Sequence, residues 1–138
     1  MIRFTTDGVE MPALDKRMVT RWIREVAKDY GFVTGDITYI FCDDEKELAV
    51  NREFLGHDYY TDVITFDYGT QHTISGDIFI SLDMIRHNAE QVGTTFDNEL
   101  LRIIIHGVLH LTGQADKTPE TRAEMTRKEN LALSKLGL

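Results

Sequence analysis

Apolar residues along this chain follow two spacings, and each spacing predicts one kind of secondary structure. Intervals of three and four residues are typical of amphipathic helices, whereas alternation among β-branched and aromatic residues is typical of strands. The helical spacing covers residues 14–30, 44–54, 81–93, 95–111 and 118–137. The strand spacing covers residues 2–5, 36–42, 62–68 and 73–81, and the last two of these segments predict a hairpin.

Residues that favour helix ends lie at the borders of these segments. Asp44, with Glu47 three positions later, predicts a reciprocal cap at the start of the second helix. Gly31 provides a left-handed stop for the first helix. The other predicted caps are Ser81, Thr94 or Thr95, and Thr118 followed by Pro119.

These elements together predict an α+β fold. About five helices would pack with a small four-stranded sheet that is mostly antiparallel or mixed. At 138 residues with 42% hydrophobic content, the chain is long enough for one core and too short for two ordinary domains. We therefore predict that residues 1–138 form a single domain.

The most apolar part of the predicted helices, residues 100–111, contains two histidines. His106 and His110 are four residues apart, so their side chains project from one face and can hold a single ion. Gly113 ends the helix and lets the chain turn back, which would return Asp116 to the imidazoles. Two histidines and one carboxylate form the ligand set of an open, catalytic type of zinc site. The alternative is a pair of buried histidines that are bonded to backbone carbonyls.

The residue after the first histidine separates this helix from that of the zinc peptidases. Those enzymes carry H-E-x-x-H, in which the glutamate is the general base. Gly107 occupies that position here, and it leaves room beside the first ligand for a substrate or water. The spacing therefore favours one metal ion and disfavours peptide hydrolysis by the usual route.

At this point the sequence resembles the YbeY family of metal-dependent, single-strand-specific endoribonucleases. The stretch "HGVLHLTGQAD" (106–116) is similar to the family hallmark H-G-x-L-H-L-x-G-x-D-H. "NREFLGHDYYTDVITF" (51–66) and "SGDIFIS" (75–81) are similar to two further family segments. The likeness covers about half of the chain.

The sequence departs from this family pattern in two places, at the third ligand position and in the segment 51–66. Asp116 stands where the family has its third histidine, so one ligand type replaces another. Leu55 stands in place of an arginine that is proposed to contact RNA, and His57 stands in place of a lysine. The role of that arginine does not transfer to Leu55. The candidate catalytic residues are therefore Arg52, one helical turn earlier, and His57, with Asp62 as a minor candidate.

The resemblance implies a function in ribosomal RNA processing. The expected activity is cleavage of single-stranded RNA, above all in maturation of the small-subunit rRNA 3′ end and in ribosome quality control. His106, His110 and Asp116 would hold one Zn²⁺ per chain, and the expected partners are ribosomal RNA and the ribosome or its small subunit, with no membrane.

Composition keeps two alternatives open. A formal net charge of −8 argues mildly against binding of a polyanion by this protein alone. It favours a ribosome-associated assembly factor whose metal is mainly structural. The other alternative is a zinc hydrolase of peptides or small molecules, and only the ligand spacing supports it. The single cysteine, Cys42, and the lack of a leader or membrane segment predict a cytoplasmic protein.

Overall fold

A computed structural model describes residues 1–57 and 61–138. The strands are β1 (Ile2–Thr6), β2 (Val33–Cys42), β3 (Val63–Asp67) and β4 (Thr73–Ser81). The helices are α1 (Lys16–Asp29), α2 (Asp44–Val50), α3 (Leu82–Val92), α4 (Phe96–Leu111) and α5 (Pro119–Ser134). A π-helical turn, Asn51–Leu55, extends α2. The predicted α+β class is confirmed.

The four strands form a mixed sheet in the order β1-β2-β4-β3. β2 pairs in parallel with both β1 and β4, because a helical connection lies between the paired strands. β3 and β4 form the predicted antiparallel hairpin, in which Thr65 lies opposite Ile78. Of the two predicted arrangements, mixed is therefore the correct one.

Helix α4 lies at the centre of the molecule. It packs against β3 and β4 on one side and against α1, α3 and α5 on the others. Because it has neighbours in most directions, its apolar residues are buried nearly all round. The hydroxyl of Tyr39 on β2 donates to the Ile104 carbonyl of α4 (2.9 Å), and the indole of Trp22 donates to the Ala132 carbonyl of α5 (2.8 Å). These two bonds satisfy polar atoms inside an otherwise apolar core.

Most predicted helix ends agree with the structure to within a few residues. Ser81, Thr95 and Thr118 each cap their helix by accepting a backbone hydrogen bond, and Pro119 is the first residue of α5. The last helix ends at Ser134, three residues before the predicted glycine. None of the described helices is long and apolar enough to cross a membrane.

The predicted cap of the second helix is wrong. Asp43, one residue earlier than predicted, caps α2 and accepts a hydrogen bond from the Lys46 N–H (2.8 Å). Glu47 does not reach back to the cap. It is 1% exposed, and neither carboxyl oxygen has a hydrogen-bond partner among the residues that the structure describes. The polar loop predicted for residues 55–60 lies partly outside the described residues, since 58–60 are not described.

Candidate metal centre

Helix α4 carries His106 and His110 on one face. The helix begins at Thr95, whose side chain accepts a hydrogen bond from the Asn98 N–H (3.1 Å). The two ring centroids lie 4.5 Å apart. The two side chains are 15% and 27% exposed, so each ring is mostly covered and still open to the surface. A helical interval of four residues is therefore enough to place both rings beside one another.

The chain reverses directly after α4 and brings Asp116 to the two imidazoles. Gly113 has a left-handed backbone conformation with φ of +98°, which glycine adopts without strain. Asp116 Oδ2 lies 3.1 Å from His110 Nε2 and 3.4 Å from His106 Nε2. One ligand atom from each of the three residues lies within 4.8 Å of the other two.

The ring nitrogens that face away from Asp116 have acceptors of their own. His110 Nδ1 lies 2.9 Å from the Gln114 carbonyl oxygen, and a carbonyl only accepts, so Nδ1 carries the proton. His106 Nδ1 lies 2.6 Å from Glu129 Oε2. Contacts at Nδ1 fix the orientation of each ring and leave Nε2 directed at the shared point.

Glu129 is a buried support that the sequence reasoning did not identify. It lies on α5 with 7% exposure, and its second oxygen accepts a hydrogen bond from Arg102 Nη1 (2.8 Å). Arg102 Nη2 also donates to Asn130 (2.9 Å). The signal in the sequence is a charged residue within an apolar helix stripe, since Glu129 follows Met125 at an interval of four.

The donor set fits a divalent cation. With Nδ1 protonated, a neutral His110 directs a lone pair from Nε2 at a carboxylate oxygen 3.1 Å away. Two acceptors at that distance repel unless a proton or a metal ion lies between them. Two imidazoles and one carboxylate are typical ligands of Zn²⁺, and this set also suits nickel, iron or manganese.

The electrostatics around His106 also favour positive charge. Burial lowers the pKa of His106, but the hydrogen bond and the charge of Glu129 raise it by more, and Asp62 and Asp116 raise it further. The net result is a pKa above the ordinary value for histidine. The acids that surround this ring therefore stabilise a cation at the place where Nε2 points.

The three residues line a cleft of about 470 Å³. Its opposite wall comes from the π-helical turn, the segment after it, and β3. The lining residues outside the ligand set are Asn51, Leu55, His57, Thr61, Asp62, Val63, Ile64, Thr65, Asp67 and Lys117.

The structure separates the two predicted catalytic residues. His57 lines the cleft, whereas Arg52 is exposed on the π-helical turn and is not part of the lining. Asp62 also lines the cleft, and its carboxylate accepts a hydrogen bond from Asn88 (2.9 Å). Lys117 is a lining residue that the sequence reasoning missed, although it directly follows Asp116. The roles of Arg52 and His57 stay predictions.

Gly107 does not have the role that the sequence predicted, which was to leave room for a substrate or water. A Cβ added there would lie 3.0 Å and 3.1 Å from two carbon atoms of Ile78 on β4. The absence of a side chain therefore lets α4 approach the sheet closely. The prediction that Gly107 makes room for substrate is wrong, because Gly107 is buried and faces Ile78 of the sheet.

Comparison with known proteins identifies the family. A family model described as "Endoribonuclease YbeY" matches residues 2–137. The chain belongs to the YbeY family. Endoribonuclease YbeY of Bacteroides thetaiotaomicron is 56% identical over 133 residues, which cover 96% of this chain and 97% of that protein. Endoribonuclease YbeY of Phocaeicola vulgatus is 55% identical over 138 residues, and the match covers both chains completely.

A solved structure has a similar fold. The solution structure of TM1509 from Thermotoga maritima has a TM-score of 0.67 and 25% identity, over 99% of this chain and 91% of that chain. The family resemblance predicted from the motif at residues 106–116 is confirmed. Membership of the YbeY family places the chain among endoribonucleases, and its three converging side chains have the spacing to hold one metal ion.

Proposed function

We propose that this YbeY-family chain is a metal-dependent endoribonuclease that cuts single-stranded RNA. Its substrate would be ribosomal RNA, with the small-subunit 3′ end and ribosome quality control as its setting, and the ribosome or small subunit as its partner. The observation that carries the proposal is the convergence of His106, His110 and Asp116 inside an open cleft. The relatives are endoribonucleases by name, which supports the reaction class.

His106, His110 and Asp116 would hold one Zn²⁺ ion through two Nε2 atoms and one carboxylate oxygen. A divalent ion there supplies Lewis-acid polarisation of the scissile phosphate and activation of the attacking oxygen. Glu129 and the Gln114 carbonyl keep the two rings from rotating, because each accepts from an Nδ1 atom. Such support commonly raises metal affinity by about 10- to 100-fold.

The opposite wall of the cleft supplies the remaining chemistry. When the new P–O bond forms and the old one breaks, the leaving oxygen needs a proton. We assign this task to His57, whose imidazole lines the cleft and belongs to the side-chain type that exchanges protons near neutral pH. Arg52, predicted as a catalytic residue in place of the family arginine, does not line the cleft and would instead contact the RNA backbone beside it.

The test compares zinc-loaded wild type with His110→Ala on a labelled single-stranded RNA. We expect cleavage to fall by at least about 1000-fold, because the variant loses a ligand and with it the ion. His72→Ala is a matched control, since His72 is exposed in the β3–β4 turn and does not line the cleft. Equal cleavage by wild type and His110→Ala would contradict the proposal and indicate a contaminating nuclease.

A ribosome-associated assembly factor with a structural metal is the second candidate function. The net charge of −8 and the apolar Leu55 in the cleft wall favour it. Under this alternative, His110→Ala would lose metal and thermal stability while neither protein cut RNA. Metal analysis of protein purified without a chelating resin measures the identity and number of bound ions in the same experiment.

A further inference from the structure

An RNA phosphate that enters the cleft meets an excess of negative charge. The described lining carries three carboxylates, Asp62, Asp67 and Asp116, and the ammonium of Lys117 is the one lysine or arginine charge among the lining residues that are described. One divalent ion would only balance this excess. The whole chain is also acidic, with a formal net charge of −8, so long-range attraction does not compensate.

Lys117 is available to an incoming anion. It is exposed, and no hydrogen bond or ion pair of the described residues involves its ammonium group. Two other lysines form ion pairs, Lys46 with Asp7 (3.2 Å) and Lys135 with Asp29 (3.0 Å). A cation that has no protein partner does not have to give one up when it binds a phosphate.

The backbone of Lys117 is fixed on both sides. Asp116 is directed at the two imidazoles, 3.1 Å from His110 Nε2. Thr118 is the N-cap of α5 and forms two hydrogen bonds with Thr121. The Thr121 N–H donates to Thr118 Oγ1 (3.1 Å), and the Thr118 N–H donates to Thr121 Oγ1 (3.0 Å). This capping box anchors the residue after Lys117. The lysine side chain therefore starts from a defined point at the edge of the cleft.

Among the described residues of the facing wall, the cleft lining includes no lysine or arginine. Leu55 lines the cleft with 42% exposure, and Arg52 lies outside the lining. We infer that Lys117 binds the non-bridging oxygens of the RNA phosphate held at the His106–His110–Asp116 site and so supplies the cationic contact of this cleft. This inference rests on the proposed function for the identity of the substrate, and its chemistry is the recognition of a phosphodiester.

The first experiment measures binding of a short single-stranded DNA by fluorescence anisotropy in rising KCl, with zinc-loaded protein. DNA carries the same phosphates and lacks the 2′-hydroxyl. We expect Lys117→Gln to weaken binding by about 10- to 100-fold. The slope of log affinity against log salt should fall by about 0.7, the value for one lost phosphate contact on a single strand. Lys117→Arg keeps the charge and should retain both values.

Two further variants test whether charge is the cause. Lys28→Gln removes the same charge from the exposed end of α1 and should leave affinity and slope unchanged. Leu55→Arg, added to Lys117→Gln, places a cation on the facing wall and should restore most of the lost affinity. A wild-type salt slope in Lys117→Gln, or an equal loss in Lys117→Gln and Lys117→Arg, would overturn the inference.

Cleavage of RNA separates this inference from the proposed function. If wild type cuts RNA and Lys117→Gln matches Lys28→Gln in both KM and DNA affinity, only the role of Lys117 fails. If wild type cuts no RNA and Lys117→Gln still lowers DNA affinity and slope, the phosphate contact stands and the proposed activity fails.

Discussion

Two buried glutamates on different helices have opposite surroundings. Glu129 on α5 is 7% exposed, accepts from Arg102 (2.8 Å) and lies 2.6 Å from His106 Nδ1. Glu47 on α2 is 1% exposed, and neither of its oxygens has a hydrogen-bond partner among the described residues. The first contacts an arginine and a histidine, whereas the second is exposed to the charges of two other acids, Asp62 and Asp44.

The comparison shows that the groups in contact with a buried glutamate determine whether its carboxyl group is charged in the folded protein. Burial raises the pKa of Glu47 to about 9, and the charges of Asp62 and Asp44 add to the rise. The backbone N–H of Ser81 lowers this pKa by less than burial raises it, and that N–H donates its hydrogen bond to the Asp62 carbonyl (3.1 Å). Glu47 must therefore take up a proton on folding at neutral pH, whereas the charge of Glu129 is used to hold a histidine.

The largest effect is expected for Glu129→Gln. The amide keeps the shape but removes the charge that Arg102 and His106 contact. We expect a loss of about 3 kcal/mol in the free energy of unfolding, because removal of one partner leaves the other charge uncompensated. Urea unfolding of chelator-treated protein measures it, and a competition titration should show zinc affinity about 10- to 100-fold lower.

Glu90→Gln is the matched control for this variant, since Glu90 is exposed on α3. It should change the free energy of unfolding by less than about 0.5 kcal/mol. If Glu129→Gln changed stability and zinc affinity no more than the control, Glu129 would not be a support of the site.

A smaller effect of opposite sign is expected for Glu47→Gln. The folded pKa of Glu47 lies above its ordinary value of 4.5, so the stability contributed by its protonated form is fully present below pH 4.5 and is lost as pH rises toward 9. The glutamine variant does not titrate. Relative to wild type, its free energy of unfolding should therefore rise by about 2 kcal/mol between about pH 5 and about pH 6.5, because each pH unit in this range costs wild type about 1.4 kcal/mol.

Urea unfolding at each pH measures this difference. The cost of burying the amide is the same at every pH, so it cancels when the differences at two pH values are compared. Glu45→Gln, at an exposed position on the same helix, should follow wild type at every pH. A stability difference between Glu47→Gln and wild type that stayed constant over this range would show that Glu47 is ionised in the folded protein.

The features that could be predicted from the sequence are local. His106, His110, Gly113 and Asp116 lie within eleven residues, so a helical period and one left-handed glycine are enough to bring them together. The caps at Ser81, Thr95 and Thr118 depend on a few neighbouring residues and were predicted for the same reason.

The features that escaped prediction depend on packing between distant segments. Glu129 reaches His106 only because α5 lies against α4, and Gly107 faces Ile78 only because α4 lies on the sheet. Glu47 resembles a capping residue in its spacing, yet its helix starts one residue earlier and turns the side chain inward. Local spacing therefore identifies the ligands, and tertiary packing determines what supports them.

The smallest effect is expected for Arg102→Lys, which asks whether charge or geometry supports Glu129. Arg102 donates from Nη1 to Glu129 and from Nη2 to Asn130 (2.9 Å), and a lysine ammonium cannot reproduce this planar fork. It still neutralises the carboxylate, so we expect a loss of only about 1 kcal/mol in the free energy of unfolding and little change in zinc affinity. When it is added to Glu129→Gln, Arg102→Lys should change the free energy of unfolding by almost nothing, because the Glu129 carboxylate that Arg102 neutralises is no longer present. A loss as large as that of Glu129→Gln would mean that the fork geometry, and not the neutralising charge, distinguishes Glu129 from Glu47.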